Sequence, residues 1–170
     1  MWRLLQQIRK VGIISEPVPS ADASMLQREL QEQIARVFGR ALAIRQVDAG
    51  SCNGCELEIQ ALHNPYYNLE GMGIRFVASP RHADALLVTG PVSRHMAQAL
   101  RRTYEATPEP KLVIAVGDCG ACGGVFGESY ASLGAVANVI PVDVEIPGCP
   151  PTPTALLQGI LAAIGKRASS

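Results

Sequence analysis

The chain contains the stretch LVIAVGDCGACGG at residues 112–124. Its first five residues, 112–116, are apolar without interruption, which is typical of a strand buried on both faces of a parallel sheet. Glycine follows this strand directly, and Cys119 and Cys122 come next in a run of small residues. The stretch therefore predicts a buried strand whose end carries thiol groups in a tight loop.

On both sides of this stretch, segments with the apolar spacing of strands alternate with segments that have the apolar spacing of helices. We predict four more strands, at residues 41–47, 73–78, 85–89 and 139–146. Helices are predicted at residues 22–38, 56–63, 93–105 and 154–164. This alternation indicates an α/β fold with a parallel sheet and helices on both faces.

The chain of 170 residues has room for one domain. We predict an N-terminal amphipathic arm and linker at residues 1–20, followed by a single domain at residues 21–170. In the arm, Leu4, Ile8 and Val11 recur at helical spacing, and basic and amide side chains fill the other side. Two interpretations of residues 1–15 stay open: the helix packs on its own domain, or it lies at a membrane surface or on a membrane subunit.

The composition limits the class of protein. Lys and Arg total 15 against 15 Asp and Glu, and this balance argues against a nucleic-acid-binding protein, which normally carries a basic excess. Five cysteines, an odd number, exclude a complete set of disulfides. The first ten residues lack the apolar stretch of a signal peptide, and no segment reaches the roughly 18 apolar residues of a membrane span. We therefore expect a reducing, cytoplasmic compartment, where clustered cysteines bind metal more often than one another.

The cysteines follow predicted strands. Cys52 and Cys55 come after the first strand, Cys119 after the fourth and Cys149 after the fifth. Because the carboxyl ends of parallel strands lie at one edge of the sheet, we expect these thiols to meet there. Glycines surround the cysteines, so the backbone can turn tightly and approach a bulky inorganic group.

A thiolate cluster of this kind suits zinc or an iron–sulfur cluster. Zinc sites usually consist of two close Cys/His pairs, whereas here the pair Cys52/Cys55 is joined by single thiols 64 and 30 residues further on. This spacing favours iron–sulfur, with zinc as the alternative. Cys122 lies three residues after Cys119, and spacing alone leaves open which of the two is a ligand.

Four segments resemble a known family. They read GSCNGCELEI (50–59), SPRHADALLVTG (79–90), GDCGACGGVF (117–126) and PVDVEIPGCPPTP (141–153). Together they resemble the small subunit of membrane-bound nickel–iron hydrogenases, in particular the formate hydrogenlyase type. That family is related to the 20 kDa iron–sulfur subunit of respiratory complex I. The resemblance covers about residues 41–165.

The resemblance implies a flavodoxin-like fold and one 4Fe–4S cluster, with Cys52, Cys55, Cys119 and Cys149 as its ligands. Relatives often have a small residue at the position of Cys122, which is therefore expected not to be a ligand. Flavin, which flavodoxin-like folds also bind, is not expected, because the loops lack a Ser/Thr-rich phosphate cradle.

Glu56, directly after Cys55, is a candidate for tuning the cluster or for passing protons towards a large subunit. Its alternative role is structural, since an acidic residue in the first turn of a helix is favoured by the helix dipole.

The resemblance also implies a function as an electron-transfer subunit. It would relay electrons between a ferredoxin-like subunit and the nickel–iron centre of a large catalytic subunit, with an integral membrane subunit as a further partner through residues 1–15. The absence of a twin-arginine signal and of extra C-terminal cysteines points to the cytoplasmic face of the cell membrane and to a single cluster.

Two other functions stay open. One is a complex I-like subunit, or a nickel-free relative, that passes electrons to quinone or another acceptor. The separated cysteines of Cys52-Asn53-Gly54-Cys55 favour the hydrogenase branch, because the complex I subunit typically has adjacent cysteines there. The other is a zinc-stapled binding module without a redox role.

Overall fold

The computed structural model describes Gln6 and residues 20–168. Its centre is a sheet of five parallel strands in the order β2-β1-β3-β4-β5. The strands are β1 Leu42–Asp48, β2 Ile74–Phe76, β3 Ala85–Thr89, β4 Leu112–Val116 and β5 Val144–Ile146. This order is that of flavodoxin-like folds, so the predicted fold class is confirmed.

Within the described part of the chain, five helices and three short 3₁₀ turns accompany the strands. The helices are α1 Ser20–Phe38, α2 Gly54–Ala61, α3 Arg94–Ala106, α4 Gly117–Cys122 and α5 Pro153–Ala168. The 3₁₀ turns are Glu70–Met72, Pro80–His82 and Val136–Asn138.

The sheet is covered on both faces, as its apolar strands require. Every residue of β3 and β4 is buried. In β4, Ile114 packs in a core with residues of α1, α2 and α5, whereas its neighbour Val113 packs in a second core with Ala97 and Leu100 of α3. Successive side chains of a strand point to opposite faces, so the uninterrupted apolar run of β4 supplies both cores.

The predicted strand boundaries hold where the apolar run is continuous. β3 and β4 match the prediction residue for residue, and β1 begins and ends one residue later. The predicted strand at 139–146 is wrong over residues 139–143, because the strand starts only at Val144. Pro141 has no N–H to donate to the ladder, and Asp143 accepts a hydrogen bond of 2.7 Å from the N–H of Val113 through its side chain.

Two differences at the carboxyl edge of the sheet affect the site. Helix α2 starts at Gly54 rather than at residue 56, so Cys55 lies in its first turn. The segment after β4, expected to be a loop, forms the short helix α4 with Cys119 and Cys122 on it. Cys55, Cys119 and Cys122 are therefore held by helical hydrogen bonds, and α4 follows directly after the buried strand β4.

The predicted amphipathic arm, residues 1–15, lies outside the described residues except for Gln6. The boundary predicted after residue 20 thus remains a prediction, although helix α1 already begins at Ser20. Within Gln6 and residues 20–168, no helix combines the length and the apolar character that crossing a bilayer demands.

Candidate functional site

The loop after β1 folds back sharply at the carboxyl edge of the sheet. The side chain of Asp48 accepts hydrogen bonds of 2.9 Å from the backbone N–H groups of both Gly50 and Ser51. The N–H of Ala49 bonds the carbonyl of Thr89 in the neighbouring strand at 3.0 Å. An aspartate that satisfies the backbone two and three residues ahead stabilises a tight turn, and this turn delivers Cys52 and Cys55 to the edge.

Three loops converge at Gly117, the residue after β4. Its φ is +78°, a left-handed conformation that favours glycine. A Cβ at this position would lie 2.8 Å from Sγ of Cys55 and 3.2 Å from the carbonyl oxygen of Gly148. Residues from the loops after β1, β4 and β5 therefore touch at a point where no side chain fits.

The loops after β4 and β5 are also joined by a pair of hydrogen bonds. The N–H of Gly148 donates to Oδ1 of Asp118 at 2.7 Å, and the N–H of Asp118 donates to the carbonyl of Gly148 at 2.9 Å. Asp118 is not among the residues expected at the site from the sequence. No local sequence pattern marks this role, because the partner Gly148 lies 30 residues further along the chain. The pair holds the loop of Cys149 beside that of Cys119.

The pair Cys52/Cys55 lies against the loop of Cys149. A Cβ on Gly54 would be 3.6 Å from Sγ of Cys52 and 3.8 Å from Cβ of Pro150. Cys52 and Cys149 are exposed, Cys119 is half-buried and Cys55 is buried. The four predicted ligand residues are thus brought to one edge of the sheet, with part of the set open to a group or partner from outside.

The pKa values of Cys55 and Cys119 reflect the closeness of the other cysteines. The pKa of Cys55 is raised from 9.0 to about 11, first by burial and then by the negative charges of Glu56, Cys52, Cys119 and Cys149. The pKa of Cys119 is also raised, by burial and by Cys149 and Cys52 among others. Thiolates placed this close repel one another, and a cationic group between them would remove the repulsion and release their protons.

The four cysteine thiolates are suited to soft or borderline metals, because thiolates select zinc, copper(I) and iron–sulfur clusters. Within residues 20–168, however, no group of three or more His, Cys, Asp or Glu side chains is arranged so that it could hold a single metal ion. A lone zinc ion needs all of its sulfur ligands within about 2.3 Å of one point.

Cys122 makes a hydrogen bond to the backbone of its own helix. It is exposed, and its Sγ donates to the backbone carbonyl of Asp118, four residues earlier, at 3.2 Å. Its charge contributes to the raised pKa of Cys119 less than those of Cys149 and Cys52. The choice of Cys119 over Cys122 as a ligand stays a prediction.

Glu56 is buried, with 6% of its surface exposed, and neither carboxylate oxygen has a hydrogen-bond partner among the described residues. It lies in the first turn of α2, where the helix dipole favours an acidic residue. The dipole alone does not account for a buried carboxylate without partners, since such a group costs free energy. The structure therefore singles out Glu56 more strongly than its sequence position did.

The segment after α4 exposes apolar side chains at the same edge. Val125 is 94% exposed, Phe126 60% and Tyr130 95%. These three residues, here called the apolar loop, belong to the glycine-rich segment that continues from Cys119 and Cys122. Large apolar side chains clustered on a surface commonly mark a contact with another protein.

The fold and the converging loops define a doubly wound α/β protein built to hold a group at the carboxyl ends of its strands. Residues 52–163 match the family described as NADH ubiquinone oxidoreductase, 20 Kd subunit. This match includes all of the site cysteines, and the chain belongs to that family.

Individual relatives agree with this assignment. A probable membrane-bound hydrogenase subunit (mbhJ) of Pyrococcus furiosus is 47% identical over 136 residues, which cover 80% of this chain and 81% of the relative. Formate hydrogenlyase subunit 7 of Escherichia coli is 43% identical, over 89% of this chain and 56% of its own length. A subunit of the NADH-quinone oxidoreductase of Desulfovibrio desulfuricans is 46% identical, over 73% of this chain and 67% of its own length.

A solved structure is similar as well. A chain of the membrane-bound sulfane sulfur reductase, an archaeal respiratory membrane complex, has a TM-score of 0.69 and 34% identity, over 84% of this chain and 77% of its own. The family resemblance inferred from the four sequence segments is thus confirmed. The homologues are subunits of oxidoreductase complexes, and two of them are named as membrane-bound.

Proposed function

We propose that this chain is the 4Fe–4S electron-transfer subunit of a membrane-bound nickel–iron hydrogenase. It relays electrons between a ferredoxin-like subunit and the nickel–iron centre of a large catalytic subunit. The observation that carries the proposal is the convergence of thiols from three separate loops at one sheet edge. Subunits of this family are iron–sulfur proteins, and two relatives are named as hydrogenase or hydrogenlyase subunits.

Cys52, Cys55, Cys119 and Cys149 are the proposed ligands of one 4Fe–4S cluster, which supplies one-electron transfer when bound. The protein's part is to hold the four thiols at one edge and to restrict water. The buried Cys55 provides the dry side of the site, and Gly117 leaves the space in which its sulfur lies.

Glu56 is proposed to act beside the thiols, either by tuning the electron affinity of the site or by passing a proton. Its charge already raises the pKa of Cys55, which shows that the two groups interact. Glu56→Gln removes a negative charge beside the thiols, so it should raise the midpoint potential of the cluster in the purified complex if the charge tunes the cluster, or slow hydrogen evolution if the carboxylate passes protons. Glu58→Gln, two residues further on the same helix and half-buried, is the matched control. A midpoint potential and a rate of hydrogen evolution that both equal those of Glu58→Gln would refute a role for Glu56.

The apolar loop supports a docking surface for the large subunit next to the thiols. Electron transfer between two centres requires that they lie close together, so the cluster-bearing edge is the natural contact. We further propose that residues 1–15 contact an integral membrane subunit and that the chain is a peripheral subunit on the cytoplasmic face of the cell membrane. Deletion of residues 1–15 should release the subunit assembly from membranes, and unchanged membrane association would refute the proposed role of the arm.

A second function is supported by a separate observation. The chain is 46% identical to a subunit of an NADH-quinone oxidoreductase, so a complex I-like module that delivers electrons to quinone, or a nickel-free relative, is the alternative. The two functions place the same cluster on this chain and differ in the partner subunit. Nickel in the partner separates them.

The deciding experiment is elemental analysis of iron, nickel and zinc, with acid-labile sulfide, on the native complex captured through a tag on this chain. Iron and sulfide with co-purifying nickel support the hydrogenase. Iron and sulfide without nickel support the alternative, and zinc in place of iron refutes the redox function. Cys149→Ser should remove iron, whereas Cys122→Ser, a matched exposed cysteine, should not; loss of iron in the latter would refute the ligand assignment.

A further inference from the structure

A second feature lies at the opposite edge of the sheet, where the strands begin. A cleft of about 370 Å³ opens there, and it is lined by Arg40, Arg75, Arg81 and Arg167. Arg40 precedes β1, Arg75 lies in β2, Arg81 precedes β3, and Arg167 lies in the last turn of α5. Four guanidinium groups from four separate segments therefore share one opening, here called the basic cleft.

The acidic residues of the basic cleft are already engaged. Asp84 accepts a 2.6 Å hydrogen bond from Arg40 and a 3.0 Å bond from the backbone N–H of Ala43. Glu109 forms an ion pair of 3.0 Å with Lys111. Among the described residues, neither carboxylate forms an ion pair with another arginine of the cleft.

Three guanidinium groups are left with excess charge. Arg75 and Arg81 are exposed, and neither has an ion pair within residues 20–168. Arg167 packs over the ring of Phe38 at 4.6 Å, and its Nη1 is buried without a hydrogen-bond partner among the described residues. Lys and Arg balance Asp and Glu over the whole chain, so this local excess is a property of the cleft and not of the composition. Such a surface attracts negatively charged groups.

The walls of the cleft indicate which kind of anion it suits. Small phosphates are usually held by backbone N–H groups at the start of a helix. This cleft instead meets the last turn of α5, which offers no free N–H groups, and Pro108 and Pro110 in its wall have no N–H to donate. The available donors are guanidinium groups on separate segments, and each can pair in bidentate fashion with one carboxylate or phosphate, so the cleft suits a ligand that carries several separate anionic groups.

We propose that the basic cleft binds an acidic polypeptide segment of a partner subunit, one that carries at least two carboxylate side chains. The chain would then contact partners at both ends of its sheet, through the thiol edge and through the strand beginnings. This proposal rests on membership of a multisubunit complex, as proposed above, and does not require the iron–sulfur cluster.

The test reverses charge in the cleft and follows the composition of the complex. The native complex is captured through a tag on this chain carrying Arg81→Glu, or Arg75→Glu with Arg81→Glu, and washed at increasing salt. Arg28→Glu, at an exposed arginine on α1 outside the cleft, is the matched control. We expect the double variant to retain about tenfold less of one partner subunit than the control, since like charges at an interface oppose association.

Chemical cross-linking identifies the partner. Arg81→Lys keeps the positive charge and places an amine in the cleft, which a carbodiimide joins to an adjacent carboxylate. The expected product is a cross-link to an Asp or Glu of the subunit that the double variant loses. Iron and sulfide bound to this chain should stay at the wild-type level, so that failure of this proposal is distinguished from failure of the proposed function.

Two results would overturn the proposal. Unchanged subunit composition in the double variant, with no cross-link through position 81, shows that no acidic segment binds in the cleft. The complex is also sedimented with phosphatidylglycerol vesicles. If the double variant keeps all of its subunits but no longer sediments with these vesicles, the cleft binds lipid headgroups instead. Vesicles of phosphatidylcholine alone serve as the uncharged reference.

Discussion

Replacing Gly117 by alanine tests whether the contact between the three loops shapes the site. The residue has a φ of +78°, and its added Cβ would lie 2.8 Å from Sγ of Cys55. The left-handed conformation costs alanine about 1–2 kcal/mol. The thiol must also move, because a carbon and a sulfur atom cannot approach so closely, and overpacking of this kind costs a further ~1–3 kcal/mol.

The total destabilisation expected for Gly117→Ala is therefore about 2–5 kcal/mol. The substitution should also distort the site. Relieving the close contact displaces the sulfur of Cys55 or the carbonyl oxygen of Gly148, which would lie 3.2 Å from the new carbon. We expect the variant to lose iron and sulfide in addition to stability. The measurements are urea unfolding of the full chain, and iron and sulfide per chain in the captured complex.

Two matched glycines separate the causes. Gly39 has a φ of +60° with nothing within 4 Å of its added Cβ, so Gly39→Ala should cost about 1–2 kcal/mol and keep its iron. Gly165 lies in helix α5 with open space and no positive φ, so Gly165→Ala should leave stability unchanged or raise it by up to about 1 kcal/mol. Wild-type iron content in Gly117→Ala would refute the reasoning, as would equal loss of iron in Gly39→Ala.

Two further predictions concern the strand beginnings. Asp84→Ala removes the acceptor of the buried Ala43 N–H and should lower the free energy of unfolding in urea by about 1–3 kcal/mol. Arg40→Gln changes the largely exposed partner of Asp84 and should lower it by less than about 1 kcal/mol. Equal losses in the two variants would show that the ion pair dominates. The hydrogen bond from Lys111 lowers the pKa of Glu109 in the folded protein. The stabilisation from this pair is therefore fully present above the pKa that Glu109 has in the unfolded chain, and it is lost as the pH falls through the lower pKa of the folded state. An NMR titration of the Glu109 carboxyl should show a midpoint below its usual value, which Lys111→Met and high salt both raise; a midpoint indifferent to Lys111→Met would contradict the assignment.

The sequence was informative where one property acts over several consecutive residues. An uninterrupted apolar run predicts burial on both faces, and β3 and β4 have the predicted bounds. Cysteines that follow successive parallel strands must reach the same edge, because the strands share one direction. The fold class and the gathering of Cys52, Cys55, Cys119 and Cys149 could therefore be inferred before any coordinates.

Features that depend on neighbours distant in the chain could not be predicted from the sequence. Whether β5 pairs from residue 139 or from Val144 depends on which backbone groups Pro141 and Asp143 leave available to β4. The role of Asp118 depends on the backbone of Gly148, 30 residues away, which no local pattern contains. Short strands and single hydrogen bonds between loops are set by packing, and packing is not periodic in sequence.

The sequence by itself determined the parallel sheet, the edge at which the thiols gather and the family to which the chain belongs. Only the tertiary structure decided that Glu56 is buried without a partner among the described residues and that Arg40, Arg75, Arg81 and Arg167 face one cleft. The physical reason is that burial and the local density of charge arise from residues of separate segments. A balanced composition of 15 positive and 15 negative residues says nothing of how folding distributes them.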